Sequence, residues 1–271
     1  MSGTVLERVQ RALAERANEA TDPAVVVGDS VVFVTLSHPE YGQMAGLAHR
    51  PDGDPSSVTA GSTAQLVELA TAGETALARA VGIAALNALS EPDIDWQTGD
   101  PMALVTPDVD VIATVGLFRP AFEKFGDVTV RVIERDPPAA VDAPPGVTVE
   151  TYAPEDRAAA VTGADVCFVT GSVLIYGGFE DYLDALTAAG VSPVVLIGAT
   201  ASHLPGPAFD AGVAVVAGAR VTDVETVRER VHAGDCGTGL HDAGVEKVYV
   251  TGDAVTRGLT LENSTAEERS P

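Results

Sequence analysis

Apolar residues recur along the chain in two different rhythms, and the change of rhythm divides it. Val5, Val9, Leu13 and Ala17 follow at helical spacing with Glu and Arg between them, which predicts a helix over about 4–19. Two β-branched runs, 25–27 and 31–34, flank Gly28-Asp29 and read as a hairpin, with 41–49 as a third strand. The polar stretch 51–62 reads as a loop. Residues 63–72 and 74–89 read as helices, the second so rich in alanine and so poor in charge that it is expected to be buried. A loop of mixed polarity covers 90–108 and holds the only tryptophan, Trp96. Beyond it, apolar runs at 109–115, 128–133, 166–170, 194–197, 213–216 and 245–250 alternate with helical stretches at 118–125, 155–162, 179–189 and 223–233. Continuous apolar strands separated by helices predict a mostly parallel sheet covered on both faces. The fold class is therefore α/β: a small α+β domain over 1–105, then a Rossmann-like doubly wound domain over 106–260. The polar tail, 261–271, is expected to be disordered.

Charge changes the picture next. Of 271 residues, 39 are acidic and 16 basic, a net charge of -23. Only two of the basic residues are lysines, Lys124 and Lys247. Such a surface repels phosphate backbones, so no nucleic-acid partner is expected. Acid excess with lysine shortage resembles proteins of salt-loving organisms, and a fold of this kind is expected to loosen at low salt. No apolar run approaches the 18 or so residues of a membrane span, and Met1 to Arg8 lacks the apolar stretch of a signal peptide. Two cysteines point to a reducing compartment, so a cytoplasmic location is expected. A homodimer is expected only because such dimers are common.

In a doubly wound sheet, ligands gather at the carboxyl ends of the strands. The first strand there ends in Gly116-Leu117-Phe118, the second in Glu134-Arg135-Asp136. A later one ends in Thr170-Gly171-Ser172, followed by Tyr176-Gly177-Gly178, and another in Gly198-Ala199-Thr200. Glycine at these ends lets backbone approach a ligand closely. Glu134 lies 18 residues after Gly116, the position of an acid that accepts from a ribose hydroxyl. No G-x-G-x-x-G precedes it, so an adenosine-type ligand fits better than a dinucleotide; equally, Gly116 makes a tight turn and Glu134 is a solvated strand end. Amides before Phe179 suit an anion or carboxylate, or the glycines only serve the connection. His232, Cys236 and His241 offer donors for a divalent metal at a spacing that fits no zinc pattern. Cys167, mid-strand, reads as core. Asn87, in an almost uncharged helix, must find partners, either inside the fold or in the pocket. Glu40, Tyr41 and His49 of the first domain could reach the cleft, though nothing in their spacing demands it.

Several of these stretches resemble one family in combination. They are Gly82-Ile83-Ala84-Ala85-Leu86-Asn87-Ala88-Leu89, Val115 to Phe118, Ile133 to Pro137, Ala164 to Ser172, Gly198 to Thr200 and Ala217 to Asp223. The family is a domain of unknown function described as heavy-metal chelation proteins, and the resemblance runs over about 5–250. It implies an enolase N-terminal-like domain joined to a Rossmann-like one, with the site between them. It also implies a partial likeness to Rossmann-like methyltransferases and a role around pterin-, flavin- or siderophore-like chelators. Carried over, the site positions are Asn87, Gly116, Phe118, Glu134, Thr170, Gly171, Ser172, Gly177 and Gly198. The chain departs from the family at Tyr176, Gly178 and Ala199, where the family has Asn, Thr and Pro, so the ligand is expected to differ.

Three functions follow as expectations. The first is a protein that binds a small molecule or metal chelate between the domains, with catalysis by condensation or hydrolysis left open and Glu134 the candidate general base. The second is a carrier of a divalent heavy metal or its chelate without turnover, with His203, His232, Cys236 or His241 as ligands. The third is an S-adenosylmethionine-dependent methyltransferase-like protein.

Overall fold

The computed structural model describes residues 3–58, 61–235, 237–253 and 257–261. The expected tail beyond 261, like Cys236, lies outside them.

Helices α1 (Val5–Ala12) and α2 (Ala14–Glu19) open the chain. Thr4 caps the first: its hydroxyl accepts from Glu7 N–H while the Glu7 carboxylate accepts from Thr4 N–H. Strands β1 (Thr21–Val27), β2 (Val31–His38) and β3 (Gly42–His49) form an antiparallel sheet with β2 in the middle. Helices α3 (Thr63–Ala72) and α4 (Ala76–Ser90) follow. As the uncharged sequence predicts, α4 is buried nearly all round, every residue from Ala80 to Ser90 included.

The second sheet has eight strands. These are β4 (Gln97–Thr98), β5 (Val111–Val115), β6 (Val128–Ile133), β7 (Val147–Tyr152), β8 (Val166–Thr170), β9 (Val194–Ile197), β10 (Val215–Val221) and β11 (Val245–Thr251). Helices α5 (Arg119–Phe122), α6 (Arg157–Val161), α7 (Val173–Tyr176), α8 (Phe179–Ala189), α9 (Gly206–Phe209), α10 (Val224–His232) and α11 (Thr238–His241) connect them. The spatial order is β4-β11-β10-β9-β8-β5-β6-β7. From β5 the chain winds outward through β6 and β7, then returns to build β8, β9 and β10 on the other side. The order reverses between β5 and β8, and a crevice opens at such a point.

Two details depart from the sequence reading. β11 runs antiparallel to β10, pairing Val221 with Val245, so the connection through α10 and α11 returns to the same end of the sheet. β7 and β4, and the short helices α7, α9 and α11, are additional elements. The large sheet takes its first strand as early as Gln97.

The small sheet is covered on both faces. Val32, Val34, Leu36 and Met44 share a core with α4 that continues into β5, β8 and β9 through Ala113, Val169 and Leu196. Val26, Phe33 and Leu47 pack on Val227 and Val231 of α10 and on Leu240 and Val245. The carboxyl ends of β9 and β10 therefore open toward the small sheet.

Candidate functional site

At the switch point the turn after β5 is held by a carboxylate. Glu134, directly after β6, accepts Leu117 N–H at Oε2 (3.1 Å) and its neighbour Arg135 N–H at Oε1 (3.1 Å). Gly116 has φ +99°, and a Cβ there would press within 3 Å of Thr170 Cγ2, so only glycine lets the ends of β5 and β8 close on each other. The Thr170 hydroxyl lies 3.1 Å from Ser172 Oγ, both half-buried. Gly171 N–H donates to Ile197 O (2.7 Å). Tyr176 ends α7. The Arg135 guanidinium lies over its ring, 3.6 Å from the centroid, and its hydroxyl stands 3.5 Å from His49 Nε2. Gly177 and Gly178, at φ +86° and +88°, then turn the chain into α8.

His49 is the last residue of β3, so this contact crosses from the small sheet to α7, the helix that follows β8. Lost hydration and, next, the nearby Arg135 charge hold its pKa below the usual histidine value, with Asp52 pulling the other way. The lowered pKa favours the neutral ring, which has one N–H donor and one acceptor nitrogen.

Buried amides and hydroxyls fix that crossing. The Asn87 side-chain amide donates to Leu47 O (2.8 Å), Ala199 O (3.0 Å) and Thr200 O (3.3 Å). The Thr200 hydroxyl accepts His49 N–H (2.9 Å). Of the two openings for Asn87, its N–H donors take the one inside the fold, where they tie α4, β3 and the turn after β9 together, while its buried Oδ1 has no hydrogen-bond partner among the described residues. Gly198 starts that turn at φ +116°. His203, just beyond, is fully buried with Nδ1–H donating to Leu204 O (3.1 Å).

Beside the switch point lies a cleft of about 380 Å³. Its floor is small: Gly198, Ala199, Ala217, Gly218 and Ala219. Leu47, Met102, Leu117 and Phe118 wall it, so both sheets contribute. At its mouth Asp100 Oδ2 accepts from Lys124 Nζ (2.5 Å) and Lys247 Nζ (2.8 Å), while Oδ1 accepts Met102 N–H (3.1 Å). Burial pushes the Asp100 carboxyl up, but the two lysines outweigh it and hold it below the ordinary aspartate value. His241 also lines the cleft, its Nδ1 2.8 Å from Val245 O.

The structure thus places Gly116, Glu134, Thr170, Gly171 and Ser172 at the neighbouring ends of β5, β6 and β8, reaches Tyr176 from there through Arg135, and puts Phe118 and Gly198 on the adjoining cleft. Asn87 and Thr200 lie buried beneath, and Gly177 and Gly178 face solvent at its edge. His232 is exposed on α10. Among the described residues no three of His, Cys, Asp and Glu are grouped as a metal centre requires. Cys167 is buried in β8, where burial pushes its thiol pKa up, consistent with core. Sequence reasoning did not single out Arg135, Asp100, Lys124 or Lys247; the scarcity of lysine was the signal available.

No helix among the described residues is long and apolar enough to cross a membrane. The DUF364 family model, described as "Putative heavy-metal chelation", matches residues 101–251. A DUF364 protein of unknown function from Pyrococcus horikoshii has a similar structure, with a TM-score of 0.77 and 21% identity, covering 92% of this chain and 100% of its own. Another, from Desulfitobacterium hafniense, has a TM-score of 0.67 and 14% identity, covering 91% and 98%. At these identities the likeness shows the fold. No curated protein matches the chain.

Proposed function

The chain belongs to the DUF364 family, and from that premise we propose that it binds a small organic molecule, free or as a metal chelate, between its two sheets. The observation that carries this reading is the apolar cleft at the carboxyl ends of β9 and β10. It has the volume of a small-molecule site, a hydrophobic lining and a few charged groups at one end, which is what such sites require. It also adjoins the switch point, where backbone and hydroxyl groups are available to a polar part of the ligand.

The test is a thermal-shift screen in molar potassium chloride. The panel holds pterins, flavins, S-adenosylmethionine and its demethylated product, and Ni, Co, Cu, Fe and Zn ions with and without a chelator. A ligand at 100 times its dissociation constant stabilises by about 2.7 kcal/mol, an easily measured rise in Tm. An organic molecule or a chelate is expected to give the shift, and Ala219→Leu, which fills the floor, is expected to abolish it. A shift from bare metal ions alone, unchanged in Ala219→Leu, would overturn the reading.

Catalysis is a second reading, favoured by the His49–Tyr176 contact. A neutral imidazole beside a phenol, with Arg135 over the ring, is a group able to move a proton and to steady negative charge. Incubating the hit from the screen and looking for a change in its mass tests it.

A further inference from the structure

Resting on the reading of the cleft as a ligand site, we propose that its ligand is an organic anion: the apolar body lies on the small-residue floor and the anionic group sits between Lys124 and Lys247.

Lysine is scarce in this protein. The chain has two in 271 residues, and both point their ammonium groups at one oxygen of one carboxylate. They come from separate places, Lys124 just after α5 and Lys247 on β11. One lysine is enough to neutralise Asp100. The second leaves a surplus positive charge, and each ammonium has three N–H donors, of which Asp100 takes one. Asp100 itself cannot turn away to balance a different partner, because its other oxygen is held by Met102 N–H.

Location gives the surplus its meaning. Acids outnumber bases 39 to 16 over the whole chain, yet among the Asp, Glu, Lys and Arg that line the cleft the ratio is reversed, two ammonium groups to one carboxylate. Asp100 and Lys124 keep 16% and 31% of their side-chain exposure, so salt screens that pair less than a surface pair, while Lys247, at 49%, is the more open of the two cations. An unbalanced cation at the rim of an apolar cavity attracts an anion more strongly than the same cation in open water. Charge and floor together select an apolar body carrying a carboxylate or a phosphate, against the repulsion of a molecule that is otherwise strongly negative.

The experiment uses three probes with one aromatic body: 2-naphthoate, 2-naphthyl phosphate and the neutral 2-naphthamide. Binding to the full chain is measured by calorimetry in potassium chloride. At least one anionic probe is expected to bind tenfold or more tightly than the amide, and the better of the two tells carboxylate from phosphate. In the Lys124→Gln, Lys247→Gln double variant the preference should vanish while amide binding stays, which also shows that fold and floor are intact. In Asp100→Asn, where the competing carboxylate is gone and the cap to Met102 can be kept, the preference should grow. Equal affinity for anions and amide in the unaltered protein, or a preference that survives the double variant, overturns the proposal and leaves the cleft a ligand site. Failure of all three probes to bind, or binding that Ala219→Leu does not reduce, overturns the cleft reading with it.

Discussion

The imidazole of His203 is fully buried, with Nδ1–H on Leu204 O and no partner for Nε2 among the described residues. Burial holds its pKa below the ordinary 6.5, more than its one backbone hydrogen bond raises it. An unfolded chain takes up this proton near 6.5, whereas the folded one resists until lower pH. Stability is therefore fully present above the ordinary histidine value and falls as pH drops through it. His49 is shifted in the same direction and adds to the slope. Asp100, also lowered, acts only below its ordinary value of 3.8, so the range between about pH 6.5 and 4.5 isolates the imidazoles. Melting curves in molar potassium chloride should show Tm falling across that range, and less steeply in His203→Gln. Equal slopes would mean that His203 contributes nothing to the pH dependence. At this scale, what sequence shows is whatever the local chain decides. The glycines at the ends of β5, β8 and β9 and the place of Glu134 after β6 come from strand-end chemistry, so they could be read directly. The meeting of Lys124 with Lys247 depends on strands that pair across the whole large sheet, and that of His49 with Tyr176 on how the small sheet packs against α7, and no local pattern records either.

Helix α4 sits against β3 and α3 at distances only glycine permits. A Cβ on Gly46 would come within 3 Å of Ala84 O and Ala88 N, and one on Gly82 within 3 Å of Ala70 N and Leu69 C. These neighbours are backbone and cannot rotate away. Gly46→Ala and Gly82→Ala should each cost about 3 kcal/mol, the upper part of the usual range for overpacking. Gly126→Ala, where a methyl group meets nothing within 4 Å, should change stability by less than about 0.5 kcal/mol. Comparing Tm for the three variants checks this, and a mild Gly82→Ala would mean the two helices can slide apart. The burial of α4 was plain from its lack of charge, and so was the parallel centre of the large sheet from its unbroken apolar runs. β7 was hidden because it is an edge strand: Thr148 and Glu150 break its apolar pattern. The direction of β11 was hidden for another reason. A helical excursion between two apolar strands reads as a crossover whether it ends at the far edge of the sheet or comes back to the near one.

For the molecule as a whole, the charge of -23 predicts how stability responds to salt. Even if every basic residue found an acid, 16 of the 39 acids would be paired and the rest would repel. Ion pairs such as Arg16–Asp93 and Arg220–Glu91 are partly exposed and weaken with salt, but they are outnumbered. Spread over 12709 Å² of surface, 39 carboxylates have about 330 Å² each and stand roughly 18 Å apart. The Debye length is about 30 Å at 0.01 M salt, about 10 Å at 0.1 M and about 3 Å at 1 M. Neighbouring carboxylates therefore repel strongly at the first concentration, weakly at the second and hardly at all at the third. Tm should climb most steeply between 0.01 and 0.1 M and follow the same course in sodium and potassium chloride, since screening depends on ionic strength and not on the ion. If Tm is flat below 0.1 M and rises only in molar salt, repulsion is not what limits this fold. The stabilising effect would then lie in how concentrated salt alters hydration of the carboxylate surface or strengthens apolar burial, and exchanging chloride for sulfate, which strengthens burial, would separate the two.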